Sequence, residues 1–232
     1  MARAESPGPL SGAGRAADVY DIGAGRVLRR YRVPFDVQPE AAVMRHLHQA
    51  GFPVPRVDEA DGRDLVMERL DGRDMLADLG RRPWLVRRHG ATLADLHNRL
   101  HEIPAPEGLA PAFGPGDRVL HLDLHPANVM LTSRGPVVID WSQARAGAAG
   151  ADVAMAYLIM ASSDTDLIPA PLRPAVGTLR AVLVRQFLAG VRDDPQAHVA
   201  RVARERAQDR NVRPAEADRL LRIAADAERP SA

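Results

Sequence analysis

The chain has 232 residues, of which 46% are hydrophobic and 26% charged, and its 31 basic and 30 acidic residues give a formal net charge of +1. These values are typical of a globular protein with a buried core, and they provide neither a basic face for nucleic acid nor a polybasic patch for lipid. Cysteine is absent and every basic residue is arginine, so disulfide, thiolate and lysine-dependent chemistry are excluded.

The beginning of the sequence, MARAESPGPLSGAG, contains no apolar stretch of the kind found in a signal peptide. No later apolar run approaches the roughly 18 residues that a membrane span requires. Together with the absence of cysteine, these features predict a cytoplasmic protein that binds no membrane and no nucleic acid. We expect a monomer or a weak dimer.

The first part of the chain predicts a small antiparallel sheet and one helix. Two short runs, 18–22 and 26–31, flank a glycine-bearing turn and indicate a β-hairpin. Apolar residues at helical spacing follow Pro39 and end at Gly51, which predicts a helix between them. A further run, 64–70, indicates a buried strand, and the turn after it marks the predicted boundary between a first lobe, 1–70, and a second lobe, 71–232.

The second part of the chain is predicted to be mainly helical. Apolar residues repeat at helical spacing between 84 and 100, which indicates a core helix. A proline- and glycine-rich loop follows, and the runs on either side of Arg134 then predict a tight hairpin from Asn128 to Asp140. From Asp152 onward the sequence is typical of helices, with breaks near 169–174 and 193–195. The expected fold class is therefore α+β.

The segment HLDLHPANVMLTSRGPVVIDW, residues 121–141, contains the residues that point most directly to a chemical function. In the predicted hairpin, Asn128 begins one strand and Asp140 ends the other, so their side chains are expected to lie opposite each other across the ladder. Asp123 lies in the loop that enters this hairpin and can stand beside the same site. One or two carboxylates with a neutral oxygen suit Mg2+ and leave room for substrate phosphates. We predict that Asn128 and Asp140 bind Mg2+.

The pattern His-x-Asp-x-x-x-x-Asn, followed by Asp after a short hairpin, resembles the catalytic loop and metal-binding aspartate of the protein-kinase-like fold. More closely, HLDLHPANVML, VVIDW and ADVAMAYL resemble the aminoglycoside phosphotransferase-like family, which includes choline, homoserine and related small-molecule kinases. The resemblance extends from Ser11 to Ala161. Protein kinases usually have Lys two residues after the catalytic Asp and Phe-Gly after the metal Asp, whereas this chain has His125 and Trp141-Ser142. The small-molecule branch is favoured.

This resemblance implies a bilobal protein-kinase-like fold, with a small N-terminal antiparallel sheet plus one helix and a mainly helical C-terminal lobe. It implies transfer of the γ-phosphoryl group of ATP or GTP, with Mg2+, to a hydroxyl of a small acceptor such as an antibiotic, an amino alcohol or a sugar. Asp123 would be the catalytic base. His121 is expected to brace the loop, and Asp152 either to cap the helix that follows or to support the catalytic loop.

Glu40 falls on the apolar face of its predicted helix, so its carboxylate is expected to point at the sheet and to need a cationic partner. In the family that partner is a strand lysine that also contacts the nucleotide phosphates, and here arginine takes its place. We choose Arg29, because it alternates with Val27 onto one strand face and matches the family's register, whereas Arg30 would point the other way. Arginine keeps the charge but is longer and forked, so the exchange is not neutral.

The remaining nucleotide contacts are predicted from the same resemblance. Gly12 and Gly14 resemble the turn over the triphosphate, where missing side chains let backbone N–H groups approach phosphate oxygens, although an ordinary turn is the alternative. The purine is expected to contact the chain at the junction of the lobes, near Met67, Glu68 and Leu70.

Three other functions are alternatives. A kinase that acts on protein is opposed by the missing lysine after Asp123, and a nucleotide-binding pseudokinase or sensor is suggested by arginine at the lysine position. Antibiotic resistance differs only in the acceptor, and the acids that are candidates to bind a polycationic aminoglycoside are Asp164, Asp166, Asp193 and Asp194. No motif in the sequence specifies the acceptor or the choice between ATP and GTP.

Overall fold

The computed structural model describes residues 8–14, 16–163 and 168–229, and the chain divides into two compact units. The first unit comprises Met1–Arg73 and Met130–Gln143, and the second comprises Asp74–Val129 and Ala144–Ala232. Asp140 therefore belongs to the first unit, whereas Asp123 and Asn128 belong to the second. The predicted division into a nucleotide-binding lobe, 1–70, and a catalytic and acceptor-binding lobe, 71–232, stays a prediction.

A five-stranded antiparallel sheet forms much of the first unit. Its strands are β1 (Leu10–Ala13), β2 (Ala17–Gly23), β3 (Arg26–Tyr31), β4 (Val57–Asp61) and β5 (Asp64–Glu68). They are arranged in the order β1-β2-β3-β5-β4. The predicted hairpin corresponds to β2 and β3, and the predicted strand after 64 corresponds to β5. Strands β1 and β4 were not predicted, because LSGA has none of the β-branched and aromatic residues that usually mark a strand and VDEAD has only one, Val57.

Helix α1 (Gln38–Gln49) packs one face against the sheet. Proline is tolerated near its start, where the backbone N–H groups have no helical partner, and the chain leaves the helix through Gly51, which has φ 76°. The buried residues are Glu40, Ala41, Val43, Met44 and Leu47, so Glu40 lies on the buried face as predicted.

The predicted hairpin is formed by β9 (Val129–Thr132) and β10 (Gly135–Val138), and β6 (Arg73–Asp74) adds a third strand in the order β10-β9-β6. Gly72 allows the chain to pass close to this hairpin. A Cβ atom at Gly72 would lie 2.0 Å from the backbone oxygen of Leu131, and its φ of 95° also favours glycine. Replacing Gly72 would therefore displace the hairpin.

Trp141 anchors the end of the hairpin inside the first unit. It is 1% exposed, and its indole N–H donates to the backbone oxygen of Val138 at 3.1 Å. Phe52 meets the Trp141 ring edge-on, with 5.8 Å between the ring centroids, and the Val138 N–H donates to the oxygen of Pro53 at 2.8 Å. These contacts fix the position of Trp141, the residue that directly follows Asp140.

The second unit is mainly helical, as predicted. Its helices are α2 (Met75–Arg81), α3 (Val86–Leu100), α4 (Ala149–Ser162), α5 (Arg173–Gly190), α6 (Gln196–Ala207) and α7 (Pro214–Ala227). The sequence of α4, AGADVAMAYLIMAS, is apolar almost all round, and this helix is correspondingly buried. It packs against α5, α6 and α7, while α3 packs against α5. No helix in the described part of the chain combines the length and apolar character needed to cross a membrane.

A small sheet in the second unit leads into the predicted catalytic loop. It consists of β7 (Pro111–Ala112), β8 (Arg118–Leu120) and β11 (Arg145–Gly147), in the order β7-β11-β8. Asp123 follows β8 by three residues, and a single 3-10 turn, Pro126–Asn128, then packs against α2. Helix α2, β7 and β11 were not predicted, since each is too short to show a clear period in the sequence.

Candidate active site

The loop that carries Asp123 has a strained backbone. Leu122, the residue before it, has φ 61°, in the left-handed region that residues with a branched side chain rarely adopt. Asp152 holds this conformation, because its Oδ1 accepts the N–H of Leu122 at 2.7 Å and its Oδ2 accepts the N–H of His121 at 3.1 Å. Strained residues that the surroundings hold in place cluster at functional sites.

His121 and Asp152 both support this loop. His121 is fully buried, and its Nδ1 accepts the N–H of Asp123 at 3.2 Å, so the predicted bracing role is confirmed. The N-cap of α4 is Ala148, and the carboxylate of Asp152 binds the loop rather than the amides of its own helix. The capping interpretation of Asp152 is therefore wrong, and the loop-support interpretation is confirmed.

Asn128 is fixed against Asp123 by its side-chain amide. Its Nδ2 donates to the backbone oxygen of Asp123 at 2.8 Å and to Oδ2 of the same residue at 2.9 Å. The turn forms because Pro126 has a φ suited to a helical start, and His125 accepts the N–H of Ala127 at 3.3 Å through Nδ1. Since Nδ2 faces Asp123, Oδ1 is the atom of Asn128 that can act as a metal ligand.

His125 adds a second polar neighbour to Asp123. Its Nε2 lies 3.6 Å from Oδ1 of Asp123, and because Nδ1 accepts a backbone N–H, Nε2 carries the proton. The two carboxylate oxygens of Asp123 thus lie near donors from Asn128 and His125. The Asp123 side chain is 31% exposed, so a substrate can still reach it.

Asp140 lies two residues after β10, in the first unit, and has φ 66°. Its left-handed backbone turns the chain out of the sheet, while Asn128 lies in the 3-10 turn before β9. The expected pairing of Asn128 and Asp140 across the hairpin ladder is therefore wrong, since both residues lie outside the strands. The side chain of Asp140 is also held locally, because Ser142 Oγ donates to its Oδ1 at 3.0 Å.

Arg29 on β3 joins two carboxylates. Its Nη1 donates to Oε1 of Glu40 at 2.8 Å, and its Nη2 donates to Oδ1 of Asp140 at 2.7 Å. Arg30 pairs instead with Asp64, as strand alternation requires. The expected contact between Arg29 and Glu40 is thus present, and Asp140 is an additional partner.

Tyr31 completes this cluster, and sequence reasoning missed it. Its hydroxyl donates to Oε2 of Glu40 at 2.7 Å, and its ring centroid lies 5.0 Å from the guanidinium carbon of Arg29. Burial raises the pKa of Glu40, although Arg29 and Tyr31 act against this rise. Burial opposes the charge on Arg29, but the carboxylates of Glu40 and Asp140 outweigh it and raise its pKa. The signal for Tyr31 was its position two residues after Arg29 on one strand.

The two predicted phosphate-loop glycines lie in the hairpin of β1 and β2. Gly12 is part of β1, and Gly14 follows that strand, where its N–H donates to the oxygen of Ala17 at 2.9 Å. The amide of Gly14 is therefore already used to close the hairpin.

The residues predicted to contact the purine lie at the end of β5. Met67 and Glu68 belong to the strand, and Leu70 follows it, half-buried. The Glu68 N–H donates to the oxygen of Arg56 at 2.9 Å, and its carboxylate pairs with Arg134.

The acids considered for a polycationic acceptor are partly engaged within the chain. Asp193 Oδ2 lies 2.9 Å from Nδ1 of His101, and Asp194 Oδ1 accepts the N–H of Gln196 at 2.9 Å. Asp164 and Asp166 lie outside the described residues. His101 was not predicted as a functional residue, because a histidine at the end of an amphipathic helix has no distinguishing pattern.

Solved kinase structures match this chain over most of its length. Aminoglycoside phosphotransferase APH(2'')-Ib, ADP-bound, is 12% identical with a TM-score of 0.61, covering 94% of this chain and 93% of that one. An ethanolamine kinase from Plasmodium vivax is 13% identical with a TM-score of 0.59, covering 92% and 80%. Amicoumacin kinase hAmiN, in complex with AMP-PNP, Ca2+ and Ami, is 15% identical with a TM-score of 0.51, covering 93% and 86%. The predicted α+β, protein-kinase-like fold class is confirmed.

No curated protein matches the sequence significantly. The model of the phosphotransferase enzyme family matches residues 10–115 and 99–186. These ranges cover more than half of the chain, and they include the loop of Asp123 as well as the cluster around Arg29. The chain therefore belongs to the phosphotransferase enzyme family, which confirms both the predicted family and the predicted enzyme class, a kinase with a hydroxyl group as acceptor.

Proposed function

We propose that this kinase transfers the γ-phosphoryl group of ATP or GTP to the hydroxyl of a small acceptor, with Asp123 as the base. Asn128 and Asp140 hold Mg2+, and Arg29 contacts the nucleotide phosphates. The observation that carries the proposal is the double contact from the amide of Asn128 to Asp123. It fixes a carboxylate and a ligand oxygen together in one short turn.

Asp123 acts on the attacking hydroxyl of the acceptor. A general base has to reach the proton it accepts, and the partly exposed carboxylate of Asp123 meets this requirement. Its backbone is held through His121 and Asp152, so the carboxylate is positioned before the substrate arrives. Phosphoryl transfer depends mainly on positioning and on the neutralisation of charge, so such a fixed base is what the reaction needs.

The residues predicted to bind the metal fit Mg2+ by their chemistry. Asn128 offers an amide oxygen and Asp140 a carboxylate, and both are hard oxygen ligands of the kind Mg2+ prefers. When bound, the ion neutralises charge on the β- and γ-phosphates. Amicoumacin kinase hAmiN was solved with AMP-PNP and Ca2+, which supports a nucleotide and a hard divalent cation for this fold.

Arg29 takes the place of the phosphate-binding lysine. Arginine has more N–H donors than its contacts with Glu40 and Asp140 use, so phosphate oxygens can bind the remaining ones. Strand β3 lies between β2 and β5 in the sheet. A nucleotide with its phosphates at Arg29 can therefore reach the β1-β2 hairpin with Gly12 and Gly14 on one side.

On the other side of β3, the same nucleotide reaches the end of β5. There the backbone around Met67, Glu68 and Leu70 is proposed to contact the purine. Because the Glu68 N–H already donates to Arg56, the purine would use other backbone groups of this segment. Such backbone contacts suit either ATP or GTP.

The acceptor is proposed to be an antibiotic, an amino alcohol or a sugar. Structures with this fold include an aminoglycoside phosphotransferase, an ethanolamine kinase and an amicoumacin kinase. All three names describe small acceptors, which supports a small molecule rather than a protein as the substrate class.

A second candidate function is a nucleotide sensor without transfer activity. It is favoured by the contact between Arg29 and Asp140, in which a permanently charged side chain already occupies one oxygen of a proposed metal ligand. In a sensor, nucleotide binding would change this contact without leading to phosphoryl transfer.

The proposed function is tested by a transfer assay with ATP and GTP against aminoglycosides, macrolides, amino alcohols, sugars and homoserine. With the accepted substrate, Asp123→Asn is expected to lower turnover by about 100- to 10,000-fold, the range for loss of a general base. Nucleotide affinity should stay within about twofold of wild type, because Asp123 is proposed to act on the hydroxyl of the acceptor rather than on the nucleotide. Asp117→Asn removes a carboxylate that is 80% exposed, and this control should keep full turnover.

The sensor is distinguished by adding Arg29→Lys to the same assay. If wild type and Arg29→Lys both bind nucleotide with Mg2+ and transfer to no acceptor, the kinase proposal is wrong and the sensor is supported. Transfer that depends on Asp123 excludes the sensor.

A further inference from the structure

His101 joins three separate segments of the second unit. It follows α3 and is 7% exposed, with Nε2 at 3.1 Å from Oδ2 of Asp152 and Nδ1 at 2.9 Å from Oδ2 of Asp193. Asp152 belongs to the first turn of α4, and Asp193 lies between α5 and α6. Both ring nitrogens of one buried histidine therefore face carboxylates.

Only the protonated imidazole donates from both nitrogens, so this geometry selects the cation. Burial alone would lower the pKa of His101, but the hydrogen bonds and charges of Asp152 and Asp193 raise it to about 9. Burial would likewise raise the pKa of Asp152, but His101 holds it well below its usual range. His101 is thus a charged residue at neutral pH.

The other titratable groups around this cluster do not replace His101. His97, one turn earlier on α3, donates from Nδ1 to the oxygen of Leu93 at 2.9 Å, and burial lowers its pKa to about 4. His121 faces Asp152 from the catalytic loop. The positive charges of Arg118 and Arg192 lower the pKa of Asp193, but less than His101 does. Neutral His97 leaves His101 as the cation that pairs with Asp152.

Asp152 connects this cation to the reacting centre. The same carboxylate that binds His101 also holds the N–H groups of His121 and Leu122, directly before Asp123. Because Leu122 is in a strained left-handed conformation, it depends on that hold. If the Asp152 carboxylate changes its orientation, the backbone of His121 and Leu122 moves with it, and we therefore expect the Asp123 carboxylate to shift.

The segment that supplies Asp193 is seated on the start of α4. A Cβ atom at Gly150 would lie 2.4 Å from the backbone oxygen of Asp194 and 2.9 Å from the ring of His198. The two backbones are thus in direct contact only because residue 150 is glycine. If this segment moves, it therefore displaces the N-terminal end of α4, which carries Asp152.

We propose that His101 is a positioning residue of this kinase, which holds the Asp123 loop through Asp152 and couples it to the segment between α5 and α6 through Asp193. The effect on turnover rests on the proposed function, whereas the link itself does not. When His101 is charged, the three segments are held together. When it loses its proton or Asp193 loses its charge, the loop relaxes.

The link is tested first without any substrate, by following the imidazole signals of the full-length chain with NMR as the pH is changed. The His101 signal, assigned with His101→Gln, should titrate with a midpoint near pH 9. Asp193→Asn should lower this midpoint by about one unit or more, because it removes an adjacent opposite charge. Asp194→Asn is the matched control, since the asparagine oxygen can still accept the N–H of Gln196, and it should leave the midpoint unchanged.

The same variants are then compared by amide hydrogen exchange and by kinetics. Asp193→Asn should speed exchange at Leu122 and His121 and lower kcat while the KM for nucleotide is unchanged. The high-pH decline of kcat should move to lower pH together with the His101 midpoint. His101→Gln should lower kcat by up to about 100-fold, the effect of misplacing a reacting group by about 1 Å.

The outcomes separate this inference from the proposed function. A His101 midpoint at or below about 6.5 in wild type overturns the link, whatever the enzyme transfers. Unchanged exchange at Leu122 in Asp193→Asn also overturns it, and this variant avoids the folding risk of replacing buried His101. If the midpoints and exchange rates behave as expected but no acceptor is phosphorylated, the link stands and the proposed function fails.

Discussion

The two units of the molecule each contain a cation between one buried and one partly exposed carboxylate. In the first unit, Arg29 lies between Glu40 and Asp140, whose side chains are 1% and 38% exposed. In the second unit, His101 lies between Asp152 and Asp193, whose side chains are 1% and 35% exposed. The arrangement is the same, and the difference is the chemistry of the cation.

That difference decides how each cluster responds to its surroundings. The guanidinium of Arg29 stays charged at every pH at which the protein folds, so the cation of this cluster does not titrate. The imidazole of His101 loses its charge within a reachable pH range. The first cluster is therefore suited to a binding role, and the second makes the position of the Asp123 loop depend on protonation.

The largest expected difference between the clusters concerns their buried acids. Asp152→Asn should lower the free energy of unfolding by about 3–5 kcal/mol, because it leaves His101 without its buried partner and disturbs the two amides that Asp152 holds. Glu40→Gln should cost about 2 kcal/mol, since glutamine can still accept from Arg29 and Asp140 remains as the second carboxylate partner of that guanidinium. Urea unfolding measures both values.

Asp218→Asn, an exposed acid near the start of α7, is the control for this pair and should change the free energy of unfolding by less than about 0.5 kcal/mol. A larger cost for Glu40→Gln than for Asp152→Asn would mean that the Arg29 cluster is the more important of the two for stability.

A smaller effect is expected from pH. Because the pKa of His101 is about 9 in the folded protein and 6.5 in the unfolded chain, the folded state binds more protons between these values. The stabilisation by His101 is therefore complete below pH 6.5 and is lost as the pH rises through 9, by about 3 kcal/mol. The guanidinium of Arg29 should contribute no slope in this window. Urea unfolding between pH 6 and about 9.5 tests this.

His97 should act in the opposite direction at lower pH. Its pKa of about 4 means that the unfolded chain binds more protons between pH 4 and 6.5, so stability falls as the pH is lowered through this range. Asp193→Asn should reduce the decline above pH 6.5 and leave the decline below it unchanged. A constant free energy of unfolding from pH 6.5 to 9 would contradict the charged state of His101.

The smallest expected effect concerns the hydroxyl that supports Glu40. Tyr31→Phe removes the donor to Oε2 of Glu40 and should lower the free energy of unfolding by about 1 kcal/mol, while Arg29 keeps its contact with Oε1. Tyr20→Phe, on the neighbouring strand, is the control. If Tyr31→Phe also weakens nucleotide affinity, the orientation of Glu40 contributes to the site and not only to folding.

Much of this molecule could be predicted from local patterns. Helical spacing placed Glu40 on the buried face, and strand alternation together with the register of the resembled family identified Arg29 rather than Arg30 as its partner. The position of Asn128 and Asp140 could not be predicted in the same way. Their expected pairing assumed regular strands, whereas Pro126 begins a helical turn and the left-handed backbone of Asp140 ends the ladder early.

The contacts of His101 could not be predicted from the sequence for a different reason. Its partners Asp152 and Asp193 are far away along the chain, and no periodicity connects a helix end with a distant loop. Asp140, the second carboxylate partner of Arg29, was missed for the same reason, since it lies 111 residues further along the chain. Local propensity predicts elements, but only tertiary packing brings such charges together.

The presence of Arg29 in place of a lysine has a practical consequence for studying this enzyme. Reactive nucleotide analogues that acylate an amine label an ATP site only where a lysine side chain faces the phosphates, and this sequence contains no lysine. A chemical survey that detects kinases by such labelling would therefore overlook this protein. A guanidinium-selective reagent is the suitable alternative. The ion pairs of Arg29 with Glu40 and Asp140 should slow the modification of Arg29, and a bound nucleotide that competes for these contacts should speed it.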